Sequence, residues 1–335
     1  MDSTARAPLP SSLVLSLGGT IAMASQAGGQ AGVAPRLTAA DLVAAVPELA
    51  QEAVLELLDF RQVPGAWLEV EDITALAELL NTQAASGTAG FVITQGTDTL
   101  EETAYLLDLL YDGAAPVVVT GAMRNSQMAG ADGPANLLAA VRTAVSAQAR
   151  DLGVLVAFAD ELHAARHVQK VHSTSTAAFQ SPGVGPIGHV VEGRPRFHFT
   201  LRRHAPLGLP MAHPAVVEVV EATLGSSGLL LNAATEHVDG LVIAAFGGGH
   251  VPRTWVERLG KLAARIPVVL TSRTGAGSVL ARTYDFGPGS ETDLFSRGLI
   301  SGGGLEPRKA RLLLLALLRV GADQTSIREA FETRG

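Results

Sequence analysis

LVLSLGGTIA (residues 13–22) is a short apolar run that ends in two glycines and a threonine. A run of this length is enough for a buried strand, and a pair of glycines lets the backbone turn sharply as it leaves the sheet. We therefore expect Thr20 to lie at the carboxyl end of a first strand, where open α/β sheets bind their ligands. The alternative is a plain loop threonine, because Gly-Gly-Thr alone is a weak signal.

The order of apolar strand, polar junction and helix recurs after this stretch. Each strand is a short apolar run, and each junction holds glycine or proline. The strands are expected at residues 53–60, 90–95, 116–120 and 152–159, the junctions at Pro64-Gly65-Ala66, Gly96–Thr99 and Gly121–Arg124, and the helices around Ile73 and Leu80, after Thr99 and over residues 136–148. This alternation predicts a mostly parallel sheet with helices on its faces.

Two helix starts carry capping signals. Thr38 can cap a helix that ends near Pro47. Thr99 is followed three residues later by Glu102, which is the spacing of a capping box. The segment MASQAGGQAGVAPR, residues 23–36, has no apolar periodicity. It is either a mobile loop that covers the first junction or a plain surface connection.

The length of 335 residues makes two domains the default, because a single core rarely grows this large. Residues 202–214 hold several prolines and few apolar runs, so we place a linker at 202–215. It separates an N-terminal catalytic domain, 1–201, from a C-terminal α/β domain, 216–335. A hairpin is expected at residues 187–199, further strands at 216–222, 241–246 and 268–271, and further helices near Leu229, Trp255 and Leu312.

The composition excludes several classes of protein. Hydrophobic residues make up 47% and charged residues 17% of the chain, as in a globular protein with a large core. The net charge of -7 argues against nucleic acid and anionic membranes as partners. The chain has no cysteine, so disulfides, thiolate catalysis and Cys-based zinc sites are excluded. Its apolar runs are too short to span a membrane, and residues 13–17 make a poor signal peptide, so we expect a cytoplasmic protein.

Three junctions offer side chains that could carry chemistry: Thr20, the pair Thr97 and Asp98, and Lys170. A threonine hydroxyl attacks a carbonyl only with a neighbouring base and with donors for the oxyanion that develops. Lys170 could be that base, since a lysine can give up its proton whereas an arginine cannot. Asp98 could orient the lysine or bind a cationic group of a substrate. The alternative is that Lys170 is a solvated charge and Asp98 a helix cap.

Other candidate sites are weaker. His163 and His167 have the spacing of one helical turn and could hold a metal, but solvated histidines are the more common case, so no metal site is predicted. The run Gly247-Gly248-Gly249 could hold an anion at the start of a helix. The sequence has no GxxxxGK[ST] motif, which leaves nucleotide binding with little support, and no cofactor is expected.

Longer segments resemble the bacterial L-asparaginase and glutaminase-asparaginase family. The similar segments are LSLGGTIA (15–22), FVITQGTDTLEETAYLLDLL (91–110), VVVTGAMRNSQMAGADGPANL (117–137), VQKVHSTSTAAFQSPGVGPIG (168–188) and GLISGGGLEPRKARLLLLALL (298–318). The resemblance implies a two-domain asparaginase-like α/β fold, with a larger N-terminal domain on a mostly parallel sheet and a smaller C-terminal domain. It also implies hydrolysis of the side-chain amide of L-asparagine through a threonine acyl-enzyme, without metal or organic cofactor. The active sites would lie between the subunits of a homodimer or homotetramer.

The resemblance also implies roles for single residues. By position, Thr20 matches the threonine that becomes acylated in the family, and Thr97, Asp98 and Lys170 match its second catalytic cluster. Asp98 would also hold the α-amino group of the substrate. The substrate-binding positions fall on Gly65, Ala66, Gly96, Asp98 and Ala122. The positions that the family contributes across the dimer fall on His250 and Arg282, with Tyr284 and Glu291 close by.

The chain departs from the family pattern in its loops. Residues 23–36 hold no tyrosine, although the family pairs its first threonine with a loop tyrosine. Gly65 and Ala66 stand where a serine usually holds the carboxylate of the substrate, and they offer only backbone N–H groups. The alternatives are therefore a glutaminase or related small-amide hydrolase, and a catalytically weakened amino-acid-binding protein on the same scaffold.

Overall fold

The structure is a computed structural model and describes residues 8–25, 33–35 and 37–335. The chain divides after Pro206 into two compact units, Met1–Pro206 (unit 1) and Leu207–Gly335 (unit 2). This division falls inside the segment 202–215 that the sequence suggests as a linker.

Unit 1 alternates strands and helices in its first part and ends in short antiparallel strands. Its strands are β1 (Ser11–Gly18), β2 (Met23–Ser25), β3 (Val33–Pro35), β4 (Val54–Val63), β5 (Gly90–Thr94), β6 (Val117–Thr120), β7 (Val154–Phe158), β8 (Glu161–Ala164), β9 (Gln169–Lys170), β10 (Phe179–Gln180), β11 (Gly188–Val191) and β12 (Arg194–Phe197). Its α-helices are α1 (Ala39–Ala44), α2 (Val70–Ala85), α3 (Leu100–Leu110) and α4 (Gly133–Ala144). Short 3-10 helices lie at Thr20–Ala22, Pro47–Gln51, Gly65–Trp67 and Ala147–Ala149.

The main sheet of unit 1 has the strand order β12-β11-β8-β7-β6-β5-β1-β4. The strands from β7 to β4 in this order run parallel, which confirms the predicted mostly parallel sheet. The strands β8, β11 and β12 run antiparallel and form the other edge. Helix α4 packs on β5, β6 and β7 from one face, and α3 packs on β6 and β7. Because helices cover both faces, the central strands are continuous apolar runs.

The antiparallel edge corrects one expectation from the sequence. After β7 the chain turns back through Ala159 and Asp160, whose φ values of 51° and 62° are left-handed. Two consecutive residues of this kind make the tight turn that joins antiparallel strands. His163 therefore lies on the strand β8, and the predicted helical spacing between His163 and His167 is wrong.

The two predicted helix caps have different outcomes. At α1 the Thr38 hydroxyl accepts a hydrogen bond from Asp41 N at 3.2 Å, and Asp41 Oδ2 accepts one from Thr38 N at 2.8 Å, so this cap is confirmed. At α3 the predicted capping box of Thr99 and Glu102 is wrong. The Thr99 hydroxyl caps no N–H group of the helix and instead donates to the carbonyl of Gly65 at 2.9 Å.

Two other segments differ from the sequence prediction in extent. Helix α4 begins at Gly133, because Pro134 fits the first turn of a helix, and it ends at Ala144. Strands β2 and β3 pair antiparallel at the two ends of the predicted loop 23–36. The rest of that loop, residues 26–32 and 36, lies outside the described residues.

Unit 2 is built on a smaller parallel sheet. Its strands are β13 (Val217–Glu221), β14 (Gly240–Ala245), β15 (Val268–Ser272) and β16 (Ile300–Ser301), and its helices are α5 (Leu229–His237), α6 (Val256–Ala263), α7 (Glu291–Ser296), α8 (Pro307–Arg319) and α9 (Gln324–Arg334), with a 3-10 helix at Arg253–Trp255. The strands pair in the order β13-β14-β15-β16, all parallel, and α8 packs on the first three. Among the described residues, no helix is both long and apolar enough to cross a membrane.

Each unit has its own buried core. In unit 1, Val14, Val92 and Val118 from neighbouring strands belong to one cluster with Leu137 of α4. In unit 2 the fully buried Trp255 belongs to the core under the sheet, and its indole N–H donates to a backbone carbonyl at 3.1 Å. Buried polar groups of this kind are satisfied by hydrogen bonds, as stable cores require.

Candidate active site

Three glycines bring the carboxyl ends of β1, β4 and β5 into contact. A Cβ atom added to Gly19 would overlap the backbone N and Cα of Gly96, and one added to Gly65 would lie 3.1 Å from the carbonyl oxygen of Gly96. Backbones approach this closely only at residues without a side chain. Thr20 and Thr97 directly follow two of these glycines, so the structure brings the predicted junctions together.

The junction at the end of β6 lies against Thr97 in the junction after β5. A Cβ atom added to Gly121 would lie 3.4 Å from Cγ2 of Thr97. Ala122 is fully buried. A Cβ atom added to Gly133 would lie 3.4 Å from Cβ of Ala122 and 3.1 Å from Cγ1 of Ile21. Gly133 therefore lies close to both Ala122 of the β6 junction and Ile21 of the turn that follows β1.

Lys170 reaches the junction after β5 from a short strand pair. Strand β9 ends at Lys170 and pairs antiparallel with β10. The Lys170 Nζ atom lies 2.9 Å from Thr97 Oγ1 and 3.3 Å from Asp98 Oδ1. The Thr97 hydroxyl accepts this bond, so its own proton can be donated elsewhere. Thr97 is buried, whereas the side chains of Lys170 and Asp98 are 17% and 65% exposed, so the cluster opens to solvent at Asp98.

Thr20 begins the 3-10 turn Thr20–Ala22, after two glycines with φ values of 91° and 83°. These left-handed values explain why Gly18 and Gly19 precede it, since residues with a side chain rarely adopt them. The N–H of Ala22 donates to the carbonyl of Gly19 at 3.0 Å and closes the turn. Thr20 is partly exposed, so its side chain is accessible to a small ligand.

The junction after β4 is held by side chains that the sequence did not single out. Thr99 donates to the Gly65 carbonyl, and the fully buried Gln95 donates from Nε2 to Thr99 Oγ1 at 3.0 Å. In the sequence, these two hydrogen bonds are indicated only by a polar residue, Gln95, at the end of an apolar strand. Ala66 is exposed, and Trp67 next to it is 71% exposed. This junction therefore presents Ala66 and the Trp67 indole at the surface.

Glu101 is a further residue that sequence reasoning missed. It lies in the first turn of α3, where acidic residues are expected because they suit the helix dipole. In the structure it is 1% exposed, and its Oε2 accepts a hydrogen bond from the backbone N–H of Lys170. A buried carboxylate thus lies directly beside the lysine of the cluster.

In unit 2, His250, Tyr284, Phe286 and Glu291 form a cluster of their own. His250 Nε2 lies 3.1 Å from Glu291 Oε2. The rings of Tyr284 and Phe286 both meet the His250 ring edge to face, with centroids 5.0 Å apart. Arg282 is exposed and does not belong to this cluster.

Glu291 is the charged centre of the unit 2 cluster. It is fully buried, and burial by itself raises the pKa of its carboxyl group. Hydrogen bonds from the N–H groups of Tyr284, Glu291 itself and Thr283, and from His250, outweigh burial and hold the pKa below its ordinary value of 4.5. The carboxylate is therefore ionised at neutral pH and can fix the orientation of His250.

His163 is a core histidine. It is fully buried, its Nδ1 lies 3.0 Å from Ser181 Oγ, and its Nε2 lies 3.2 Å from a carboxylate oxygen of Glu161. Across residues 8–25, 33–35 and 37–335, no group of three or more His, Asp and Glu side chains is arranged to hold a metal ion.

The glycine run 247–249 forms a tight turn and not a helix start. The N–H groups of Gly249 and His250 both donate to the carbonyl of Phe246, at 2.8 Å and 3.0 Å. The run therefore does not begin a helix, which is the setting that the anion-site prediction required.

The three lysines of the chain differ in their surroundings. Lys261, in α6, is exposed, and Lys309, near the start of α8, is 1% exposed. Lys170 is the lysine that lies at the carboxyl edge of the main sheet.

Two family descriptions match the chain. "Asparaginase, N-terminal" matches residues 12–203, and "Glutaminase/Asparaginase C-terminal domain" matches residues 216–331. The two matches fall on unit 1 and unit 2 respectively.

Similar proteins are known from sequence and from structure. The chain is 38% identical to the probable L-asparaginase of Deinococcus radiodurans, over 97% of this chain and 98% of that protein. It is 34% identical to L-asparaginase 2 of Escherichia coli, over 98% of this chain and 94% of that protein. The probable cytoplasmic L-asparaginase from Campylobacter jejuni matches its structure with a TM-score of 0.87 at 33% identity, over 96% of this chain and 99% of that chain. The similarity extends through both units.

Proposed function

Because the chain belongs to the asparaginase family of amidohydrolases, we propose that it hydrolyses the side-chain amide of L-asparagine to L-aspartate and ammonia. The observation that carries this proposal is the contact of Lys170 Nζ with Thr97 Oγ1 at 2.9 Å and with Asp98 Oδ1 at 3.3 Å. A lysine and a threonine in hydrogen-bond contact can pass a proton to and from a reacting group.

In the proposed reaction Thr20 is the nucleophile. Its hydroxyl oxygen bonds to the amide carbon while its proton passes to Thr97, Thr97 passes its own proton to an unprotonated Lys170, and backbone N–H groups stabilise the oxyanion. The C–N bond then breaks, and the leaving nitrogen takes up a proton and departs as ammonia. Water hydrolyses the acyl ester, releases aspartate and restores the hydroxyl. The contact between Gly19 and Gly96 supports a shared site for the nucleophile and the relay.

The substrate would be held mainly by the junction loops. The exposed carboxylate of Asp98 would bind the α-amino group of asparagine. Gly65 and Ala66 have no polar side chain, so the α-carboxylate would be bound by backbone N–H groups there. Gly96 and Ala122 would complete the lining of the site.

The variants Thr20→Ala and Lys170→Ala test this mechanism. Thr20→Ala removes the proposed nucleophile, and Lys170→Ala removes the proposed base. In each variant, ammonia release from asparagine should fall by roughly 10³-fold or more while thermal unfolding changes little. Lys261→Ala removes an exposed lysine and is the matched control, which should keep wild-type activity. Full activity of either active-site variant would end the proposed mechanism.

Glutamine is the second candidate substrate. The observation that favours it is the junction at Gly65 and Ala66, where small residues leave room for a longer side chain. One methylene changes kcat/KM by about 10- to 200-fold in a fitted pocket. The ratio of kcat/KM for asparagine and glutamine, with ammonia as the readout, assigns the substrate.

A binding protein with weak turnover is the remaining candidate. It is motivated by the lack of tyrosine in residues 23–36, which leaves the first threonine without the partner that the family uses. Calorimetry would favour it by showing asparagine binding in a protein that releases no ammonia over a long incubation.

Assembly, location and domain limits complete the proposal. We expect a homodimer or homotetramer with active sites at the subunit interfaces. We also expect a cytoplasmic location, which is the location given for the similar Campylobacter jejuni protein. Cell fractionation tests the location. The limits 1–201, 202–215 and 216–335 are supported by the division after Pro206.

A further inference from the structure

Glu101 is a buried carboxylate that the proposed reaction does not use. It is the second residue of α3 and is 1% exposed. Burying a carboxylate is unfavourable unless hydrogen bonds compensate for the lost water. Its Oε2 accepts a hydrogen bond from the backbone N–H of Lys170, which lies 69 residues further along the chain. The start of a buried helix is thus tied to the strand that carries the lysine.

This bond holds the backbone from which the Lys170 side chain extends. The ladder between β9 and β10 joins only two residues of each strand, and so short a pair holds a strand weakly. Because the lysine stem is flexible, the position of Nζ depends on where its backbone is fixed. Thr97 and Asp98 contact Nζ, and Glu101 contacts the N–H group, so Lys170 is held at both ends, by the junction after β5 and by the first turn of α3.

We propose that Glu101 is a positioning residue for the amide hydrolysis, which sets the place of Lys170 Nζ against Thr97 Oγ1 and does not touch the substrate. This role rests on the proposed function, because its kinetic effect requires Lys170 to act as the base. Displacing a reacting group by about 1 Å can lower a rate by roughly 10²-fold. We call the hydrogen bond from the Lys170 N–H to Glu101 the anchor. Its loss should therefore lower kcat and leave KM almost unchanged.

Three variants separate positioning from charge and from stability. Glu101→Gln keeps an oxygen that accepts the Lys170 N–H, whereas Glu101→Ala does not. Glu102→Gln removes the same charge from the same helical turn and is the matched control. All rates are measured at a temperature where circular dichroism shows each variant folded.

The expected kinetics follow from the anchor. In Glu101→Ala the kcat for asparagine should fall roughly 10- to 100-fold with KM within about twofold of wild type. Glu101→Gln should stay within about threefold of the wild-type kcat, and Glu102→Gln should match wild type. A wild-type kcat in Glu101→Ala, or an equal loss in Glu101→Ala and Glu101→Gln, would overturn the positioning role.

Hydrogen exchange of the Lys170 amide gives a readout that does not depend on activity. An N–H group bonded to a buried carboxylate exchanges slowly. The exchange rate of this amide should rise at least about tenfold in Glu101→Ala and stay unchanged in Glu102→Gln, and slow exchange in Glu101→Ala would overturn the anchor. If wild type releases no ammonia from either amide while its Lys170 amide is protected by Glu101, the proposed function fails and the anchor remains.

Discussion

Among single residues, Gly19 has little freedom to change. A Cβ atom there would overlap the backbone of Gly96, and its φ of 83° is left-handed. Gly19→Ala should lower the free energy of unfolding by at least about 2 kcal/mol and abolish ammonia release, because the junctions of β1 and β5 must separate. Urea unfolding and an ammonia assay measure both effects.

Gly87→Ala is the control for this prediction. Gly87 also has a left-handed φ, of 97°, but nothing lies within 4 Å of an added Cβ atom. The substitution should cost only the backbone strain, about 1–2 kcal/mol, and keep full activity. Equal effects of the two substitutions would contradict the close contact at Gly19.

Glu291 should make the stability of the protein depend on pH. Because its folded pKa lies below the ordinary value of 4.5, the carboxylate stabilises the fold above that pH, and this contribution is lost as the pH falls through the folded pKa. Between about pH 5 and pH 3, the Tm of wild type should therefore fall more steeply than that of Glu291→Gln. Glu257→Gln, at a side chain that is 80% exposed, is the control and should follow wild type. Parallel curves for wild type and Glu291→Gln would refute the prediction.

Sequence patterns could single out some residues of the candidate site and not others. Thr20 and Thr97 follow strand-end glycines, and Lys170 is one of three lysines in the chain, so local signals mark all three. The partners of Thr99 and Glu101 lie 34 and 69 residues away, although both side chains lie at the start of α3. A local pattern predicts a cap, but a partner that arrives through the fold has no local signature.

Among the elements, the junctions after β4 and β5 are coupled through Thr99. In Thr99→Val the Gly65 carbonyl loses its donor, and the loop that would hold the substrate loosens. A loss of about 1 kcal/mol of binding corresponds to roughly a fivefold rise in the KM for asparagine, with kcat little changed. Thr82→Val, at an exposed helical threonine bonded within α2, is the control and should not change KM. A fall in kcat alone would contradict this coupling.

The elements themselves differ in how far the sequence predicts them. The central strands β1, β5, β6 and β7 are buried on both faces and are largely apolar, so they are visible in the sequence. Strand β8 is not visible in the sequence, because the turn before it uses Ala159 and Asp160, whereas glycine or asparagine would mark a hairpin. Its partner strand β11 and the strand β12 that pairs with β11 follow a glycine-rich loop and could be predicted as a hairpin.

At the scale of the whole molecule, the length of the chain predicts two cores because one core of this size is rare. The structure has a separate buried cluster in each unit. Composition predicts neither which surfaces pack against another subunit nor how many subunits assemble, since those depend on the shape of the folded surface.

Self-association is expected from the exposed edge of the main sheet. On the edge strand β4, Val54, Leu57 and Leu58 are 57%, 40% and 37% exposed. Apolar edge strands favour pairing with another chain. Sedimentation velocity should therefore give a particle of at least twice the 34.6 kDa of the chain, and dilution below its dissociation constant should lower activity. A fully active monomer would rule out active sites shared between subunits.

The unequal burial of the lysines makes the protein suitable for selective labelling. Amine-reactive reagents require an accessible, unprotonated amine, and Lys309 is enclosed while Lys170 is mostly covered. Apart from the terminal amine, Lys261 is the lysine left open to such a reagent. A polymer or fluorophore can thus be coupled at one defined place on α6, and the lack of native cysteine leaves maleimide coupling free for a single introduced thiol elsewhere.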